Sequence, residues 1–194
     1  INLIPYDQKE GLDLHAVGNF TPRWFVNRKP TQIVIHWGGL NPTHLYNAFS
    51  GARKVSSHVG IGIEGDEAVT YQYLNLMHKA WHAGRANSTS LGIDICQQPT
   101  LRWADYYQDN GYDVEKINNP SSRGEAYCLS LDPRIAVQTR EVILDLCRMF
   151  DIPLQTPKTD KVIDWSSFKG VLGHHHISSH KWDCAPWWGV ITDG

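Results

Sequence analysis

The stretch "TQIVIHWGG" occupies residues 31–39 and decides the fold of the chain. Residues 31–37 are mostly β-branched or apolar, which predicts a buried strand. The glycine pair 38–39 ends that strand. His36 therefore lies at a strand end. Folds of the α/β class place their chemistry at strand ends that face a cleft, so we take His36 as a candidate site residue.

Strand-like and helical patterns alternate along the rest of the chain. They predict a short helix over 42–51, a hairpin of strands 58–64 and 68–74, a strand over 90–97, a long helix over 132–150 and a last strand over 170–174. This alternation predicts an α/β fold, with a mixed central β-sheet and helices packed on it. The length of 194 residues suits one domain over 1–194.

Composition excludes several classes of function. The hydrophobic fraction of 41% is that of an ordinary globular domain, and the net charge of −2 gives no reason to expect a nucleic-acid partner. No apolar run is long enough to cross a bilayer, so we expect no membrane insertion. Four cysteines are too few for a disulfide scaffold. We expect a monomer.

The stretch "GHHHISSHKWDCAPWW", residues 173–188, is rich in groups that bind metals. A catalytic zinc ion takes three protein ligands, usually imidazole nitrogens, thiolates or carboxylates, and keeps one position for water. His174 and Cys184 stand ten residues apart, which leaves room for a loop to fold back on one ion. We predict that they share Zn2+ with His36 and that His175, His176 and His180 do not bind it.

Five motifs extend this prediction. "IVIHW", "SSHVGIGIEGD", "AWHAG", "NSTSLGIDI" and "GHHHIS…DCAP" follow one another in the order seen in the type 2 N-acetylmuramoyl-L-alanine amidases. The chain resembles that family, which includes amidase-type phage lysozymes and peptidoglycan recognition proteins. The resemblance covers about residues 31–97 and 130–188. It implies a single amidase-type domain in which 98–130 is an aromatic-rich insertion.

The resemblance implies the same metal ligands: His36, His174 and Cys184. The spacing of ten matches family members in which the third ligand is often aspartate, so Asp183 is a rival. We favour Cys184 because a thiolate is the softer donor and suits zinc.

The resemblance also implies two catalytic residues. The family's acidic residue falls on Asp94, which would take a proton from water and pass it to the leaving nitrogen. The alternative is a structural carboxylate on the solvated face of an edge strand, because the charge alternates with Leu91, Ile93 and Ile95. The family's lysine stands two residues before the third ligand, whereas Lys181 stands three before Cys184. Lys181 then either reaches the site through a bulge and stabilises the oxyanion, or is a surface charge.

"AWHAGRAN", residues 80–87, resembles the loop that lines the family's substrate cleft. We expect His82 and Asn87 to bind the substrate and Trp37 and Trp81 to pack against its sugars, although both tryptophans could instead serve packing alone. The insertion 98–130 could extend this groove or cover the core. We favour the second interpretation, because nothing in it converges on the zinc motifs.

The implied function is hydrolysis of peptidoglycan at the amide between N-acetylmuramic acid and L-alanine. A phage endolysin released into the host periplasm or wall, or a secreted bacterial autolysin, would act in this way. A peptidoglycan-binding module without catalysis is the alternative. A purely structural zinc domain would need a closed four-ligand site, which His176 or Asp183 could complete.

Overall fold

A computed structural model describes residues 3–6, 12–24 and 29–193. The strands are β1 (Thr21–Trp24), β2 (Gln32–Trp37), β3 (Val59–Glu64), β4 (Glu67–Gln72), β5 (His78–Lys79), β6 (Ser90–Ile95), β7 (Lys116–Asn118), β8 (Tyr127–Leu129) and β9 (Gly170–Gly173). The α-helices are α1 (Pro42–Phe49), α2 (Ala104–Asp109), α3 (Pro133–Phe150) and α4 (Trp188–Thr192).

Five of these strands form the central sheet, in the order β4-β3-β6-β2-β9. All neighbours are parallel except β4, which pairs antiparallel with β3 at one edge. The mixed α/β sheet predicted from the sequence is therefore confirmed. Two further pairs, β1 with β5 and β7 with β8, lie outside this sheet.

The pairing of β2 sets up the site. His36 is the register partner of Asp94 on β6, and Ile35 is the partner of Gly173, the last residue of β9. His174 follows Gly173 directly. Since the carboxyl ends of parallel strands meet at one edge of a sheet, these three side chains arrive at the same place.

Helix α3 covers one face of the sheet, packing against β3 and β4. It begins after Asp132, whose side chain accepts a hydrogen bond from the Arg134 backbone N–H, and Pro133 occupies its first turn. It ends at Asp151, which adopts the left-handed conformation. The predicted helix over 132–150 is confirmed almost to the residue.

The segment 98–130 is more ordered than the sequence indicated. It contains α2, β7 and β8, and it buries aromatic and aliphatic side chains in the main core: Tyr107, Tyr112, Val114 and Leu129. These buried side chains cover the core, which is the role we favoured for this segment. Among the residues that the structure describes, no helix is long and apolar enough to cross a membrane.

Candidate functional site

Three side chains meet at the carboxyl edge of the sheet. The Nδ1 atoms of His36 and His174 lie 3.0 Å apart, and Asp183 Oδ2 lies 3.2 Å from the first and 3.0 Å from the second. These three atoms are close enough to bind one metal ion together. The structure thus brings together two of the three predicted ligands, across 138 residues of sequence.

The expectation that Cys184 supplies the third donor needs correction. The Cys184 side chain is fully buried in the main core, and the residue that joins the histidines is its neighbour Asp183. The backbone explains this: Cys184 has φ of 65°, in the left-handed region, so the chain turns sharply between the two residues. Burial also raises the pKa of the Cys184 thiol well above its ordinary value, which disfavours the thiolate that a metal needs.

The charges of the cluster suit a divalent cation. Burial opposes ionisation of Asp183, but hydrogen bonds with His174 and His36 outweigh it and hold the Asp183 pKa below its ordinary value. Burial lowers the pKa of His174. A carboxylate and two imidazoles, held within 3.2 Å of one another, form a donor set that zinc accepts.

His82 contacts His36, one residue of the cluster. Its Nδ1 lies 3.0 Å from His36 Nε2, and its Nε2 lies 3.4 Å from the Ser90 carbonyl oxygen. Burial lowers the pKa of His82 well below its ordinary value, so the ring is neutral. If His36 offers Nδ1 to a metal, its Nε2–H donates to His82, a partnership that fixes the orientation and tautomer of a ligand. Sequence reasoning placed His82 in the cleft and missed this contact.

Asp94 lies beside the cluster, only 5% exposed. Burial raises its pKa, while His36 and a hydrogen bond from Ser57 act in the opposite direction. The backbone of Gly38 passes very close: a Cβ at that position would lie 2.8 Å from Asp94 Oδ1. A buried carboxyl group with a raised pKa, next to these candidate metal ligands, is suited to exchanging protons.

Lys181 lines the same cleft as Asp94 and the three cluster residues. The anomaly in its spacing disappears once Asp183 is the third cluster residue, because Lys181 then stands two positions before it. No backbone bulge is needed for Lys181 to reach the cleft. The sequence shows this two-residue spacing between Lys181 and Asp183, which favours Asp183, whereas the softness of a thiolate donor favours Cys184.

The cleft has a volume of about 150 Å³ and is also lined by Trp37, Trp81 and His82. Trp37 packs edge-on against Trp182, with ring centroids 4.8 Å apart. The Trp81 indole N–H donates to Thr21 Oγ1 at 2.7 Å. Both tryptophans are therefore held in place while each contributes a surface to the cleft.

Asn87 holds the loop that carries His82. Its Oδ1 accepts hydrogen bonds from the backbone N–H groups of His82, at 3.1 Å, and of Ala83, at 2.6 Å. A neighbouring depression of about 350 Å³ is lined by Asn87, Trp81 and Lys54. The position of Asn87 accounts for the geometry of the loop, and its predicted contact with substrate remains a prediction.

Two further histidines are structural. His58 and His176 are fully buried, and both ring nitrogens of each bond to the backbone. Burial lowers the pKa of each to about 4. His175 Nδ1 lies 3.1 Å from the Asp183 carbonyl oxygen and so supports the cluster from outside.

Comparison with known proteins fits this geometry. The family described as N-acetylmuramoyl-L-alanine amidase matches residues 26–186. The chain belongs to this family. It was the family that the sequence motifs resembled. No curated protein matched the chain significantly.

Solved structures share the fold of this amidase domain. A mutant endolysin from Bacillus subtilis has a TM-score of 0.58 and 18% identity, over 100% of this chain and 98% of that one. The catalytic domain of XlyA has a TM-score of 0.57 and 17% identity, over the same shares. PlyL has a TM-score of 0.54 and 16% identity, over 98% of this chain and 94% of that one.

Proposed function

We propose that this protein is a zinc-dependent N-acetylmuramoyl-L-alanine amidase that cleaves peptidoglycan between the lactyl group of N-acetylmuramic acid and L-alanine. The observation that carries the proposal is the cluster of His36, His174 and Asp183, with Asp94 and Lys181 on the same cleft. Membership of the amidase family supplies the class of reaction.

The three cluster residues would hold the zinc ion. Their donor atoms come from two strand ends and one turn, and each lies within 3.2 Å of the other two. Zinc bound there supplies a Lewis acid that acidifies water and polarises the substrate carbonyl. A set of three protein ligands is typical of catalytic zinc sites, which keep one position open, whereas structural sites are closed by four.

Asp94 acts as the proton carrier in this proposal. Its carboxylate accepts a proton from the attacking water and delivers it to the amide nitrogen as the C–N bond breaks. Its burial favours the protonated form that must exist between those two steps. The Ser57 hydrogen bond and the tight contact with Gly38 fix the direction of the carboxyl group.

Lys181 stabilises the oxyanion that forms on the substrate carbonyl. Its ammonium group is a compact positive charge on a flexible stem, and the residue is an exposed part of the cleft lining. Trp37 and Trp81 offer aromatic surfaces to the sugar, and Asn87 lines the adjoining depression where the stem peptide could continue. The partner would be a glycan strand with its stem peptide, and the protein would bind it as a monomer.

The proteins that share the fold support a biological setting. They include a mutant endolysin and the catalytic domain of XlyA, so an endolysin or autolysin acting on the bacterial wall is the setting we infer. A binding module that does not hydrolyse peptidoglycan is the competing function. The alignment of Asp94, Lys181 and three metal donors in one cleft favours the enzyme, because a binding site alone does not need a buried proton carrier.

One assay tests the proposal. Purified protein is incubated with peptidoglycan, and new L-alanine amino groups are counted with zinc, with a chelator, and after zinc is restored. We expect release that stops on chelation and returns with zinc. Sedimentation with peptidoglycan but no release of amino groups would establish the binding module instead, and release that persists in chelator would exclude the metal.

A further inference from the structure

The segment between the last two metal-cluster residues contains Lys181 but little regular structure. After the short helical turn at His174–His176, residues 179–180 form a turn, the rest of 178–182 is irregular, and 179–181 are exposed. Within the segment, the Lys181 N–H donates to the Ser178 carbonyl at 3.2 Å. A stretch with so few internal hydrogen bonds depends on its neighbours for a defined conformation.

Arg123, at the tip of the β7–β8 hairpin, supplies such a neighbour. Its Nη1 donates to the carbonyl oxygens of His175 at 2.8 Å, Lys181 at 3.2 Å and Ser178 at 3.4 Å. One guanidinium group thus gathers three carbonyl groups from both ends of the segment. A planar, rigid donor group holds such an arrangement better than a flexible ammonium would.

A second contact lies next to the first. The backbone of Gly124 packs directly against the Trp182 indole, in the space that a Cβ would occupy, and its φ of 84° suits glycine. Trp182 in turn packs edge-on against Trp37 at the end of β2. Trp182 is therefore held between the hairpin and the central sheet, and it is the residue between Lys181 and Asp183.

The hairpin tip is itself anchored. Asn119 Nδ2 donates to the carbonyl oxygens of Arg123, at 2.7 Å, and Glu125, at 2.8 Å. The Ser122 N–H donates to the Asp160 carboxylate at 3.0 Å. The tip is thus tied both to its own loop and to a distant part of the chain, so it can hold another segment in place.

We propose that the hairpin tip, residues 121–124, is a clamp on residues 178–182, with Arg123 as a positioning residue that holds Lys181 at the cleft. The catalytic consequence rests on the proposed amidase function; the clamp itself does not. Arg123 also bonds to the carbonyl of His175, whose ring lies 3.1 Å from the Asp183 carbonyl oxygen, so zinc content is measured in each variant to separate an effect on Lys181 from an effect on metal binding.

The physical test uses trypsin, which cleaves after Lys181. Zinc-loaded wild type, Arg123→Ala and Arg123→Lys are digested under native conditions, and cleavage at 181–182 is followed by mass spectrometry. Arg140 is the matched control, because its Nη1 donates to the Val190 carbonyl at 2.6 Å, away from the cleft. We expect cleavage about tenfold faster in Arg123→Ala, intermediate in Arg123→Lys and unchanged in Arg140→Ala. Equal cleavage in wild type and Arg123→Ala would overturn the clamp.

The kinetic test uses the same variants on peptidoglycan. Arg123→Ala should lower kcat by about tenfold with KM and zinc content little changed, and Arg123→Lys should restore part of the loss. In a Lys181→Ala background, Arg123→Ala should lower kcat little further, because both substitutions remove the same interaction of Lys181 with the substrate. Full additivity of the two losses would overturn the positioning role. Absence of activity in wild type would refute the amidase proposal and leave the trypsin result to decide the clamp.

Discussion

His36 and Asp94 are register partners on adjacent parallel strands, and both lie at the carboxyl ends of those strands. His36 belongs to the cluster of candidate metal ligands, and Asp94 is the buried carboxyl group beside it. Strand pairing therefore fixes the distance between the proposed metal ligand and the proposed proton carrier.

The third metal ligand can be decided with two adjacent residues. Asp183→Ala should lower zinc affinity by at least about a hundredfold, because the histidines lose their carboxylate partner. Cys184→Ala should retain one equivalent of zinc. It should lower the free energy of unfolding only by the contribution of a small buried side chain. Isothermal titration and metal analysis measure both. The opposite ranking would restore Cys184 as the ligand.

Asp94→Asn tests the proton carrier. The amide keeps the size of the side chain but cannot accept the proton, so kcat should fall by about 10² to 10⁴ while zinc remains bound. Gly38→Ala should also reduce kcat, because the new methyl group would lie 2.8 Å from the Asp94 carboxylate. Turnover of fully metallated Asp94→Asn close to that of wild type would remove Asp94 from the mechanism.

His82→Ala tests the contact behind His36. We expect zinc affinity to fall by about tenfold to a hundredfold, because His36 loses the group that orients its ring. A residue that only contacts substrate would instead raise KM and leave the metal in place. Titration with zinc in the absence of substrate separates the two roles. Lys54→Ala, in the adjoining depression, serves as a control that should not alter zinc affinity.

The buried His58 ring should make the protein less stable in acid. Burial lowers its pKa to about 4 in the folded protein, whereas the ordinary value is 6.5. As pH falls below 6.5 the unfolded chain takes up a proton that the folded protein resists, so the free energy of unfolding decreases until pH reaches about 4. Linkage gives about 2 kcal/mol from this one group between about pH 7.5 and pH 5.

Denaturant unfolding of the metal-free protein at these two pH values measures the effect. His58→Gln can still bond to the backbone partners of the ring but does not titrate, so its pH dependence should be smaller by about that amount. His180→Gln, at an exposed position, should behave as wild type. An unchanged pH dependence in His58→Gln would show that the buried ring is not the source.

The amino-acid sequence by itself determined the main elements of the fold and two of the three residues in the cluster. The apolar run around Ile33 to Ile35 and the capped helix that begins at Pro133 are local patterns, and both formed where they were predicted. His36 and His174 could be placed together because each follows a predicted strand of one sheet, whereas Asp94 was implied by the resemblance to the amidase family.

Tertiary structure decided the rest. Asp183 and Cys184 are adjacent, and which of them faces the histidines depends on the left-handed turn at Cys184, which residue chemistry does not reveal. His82 contacts His36 across 46 positions of sequence, and Arg123 bonds to the Lys181 carbonyl across 58 positions. Such contacts depend on how loops pack against a finished sheet, so no local pattern in the sequence encodes them.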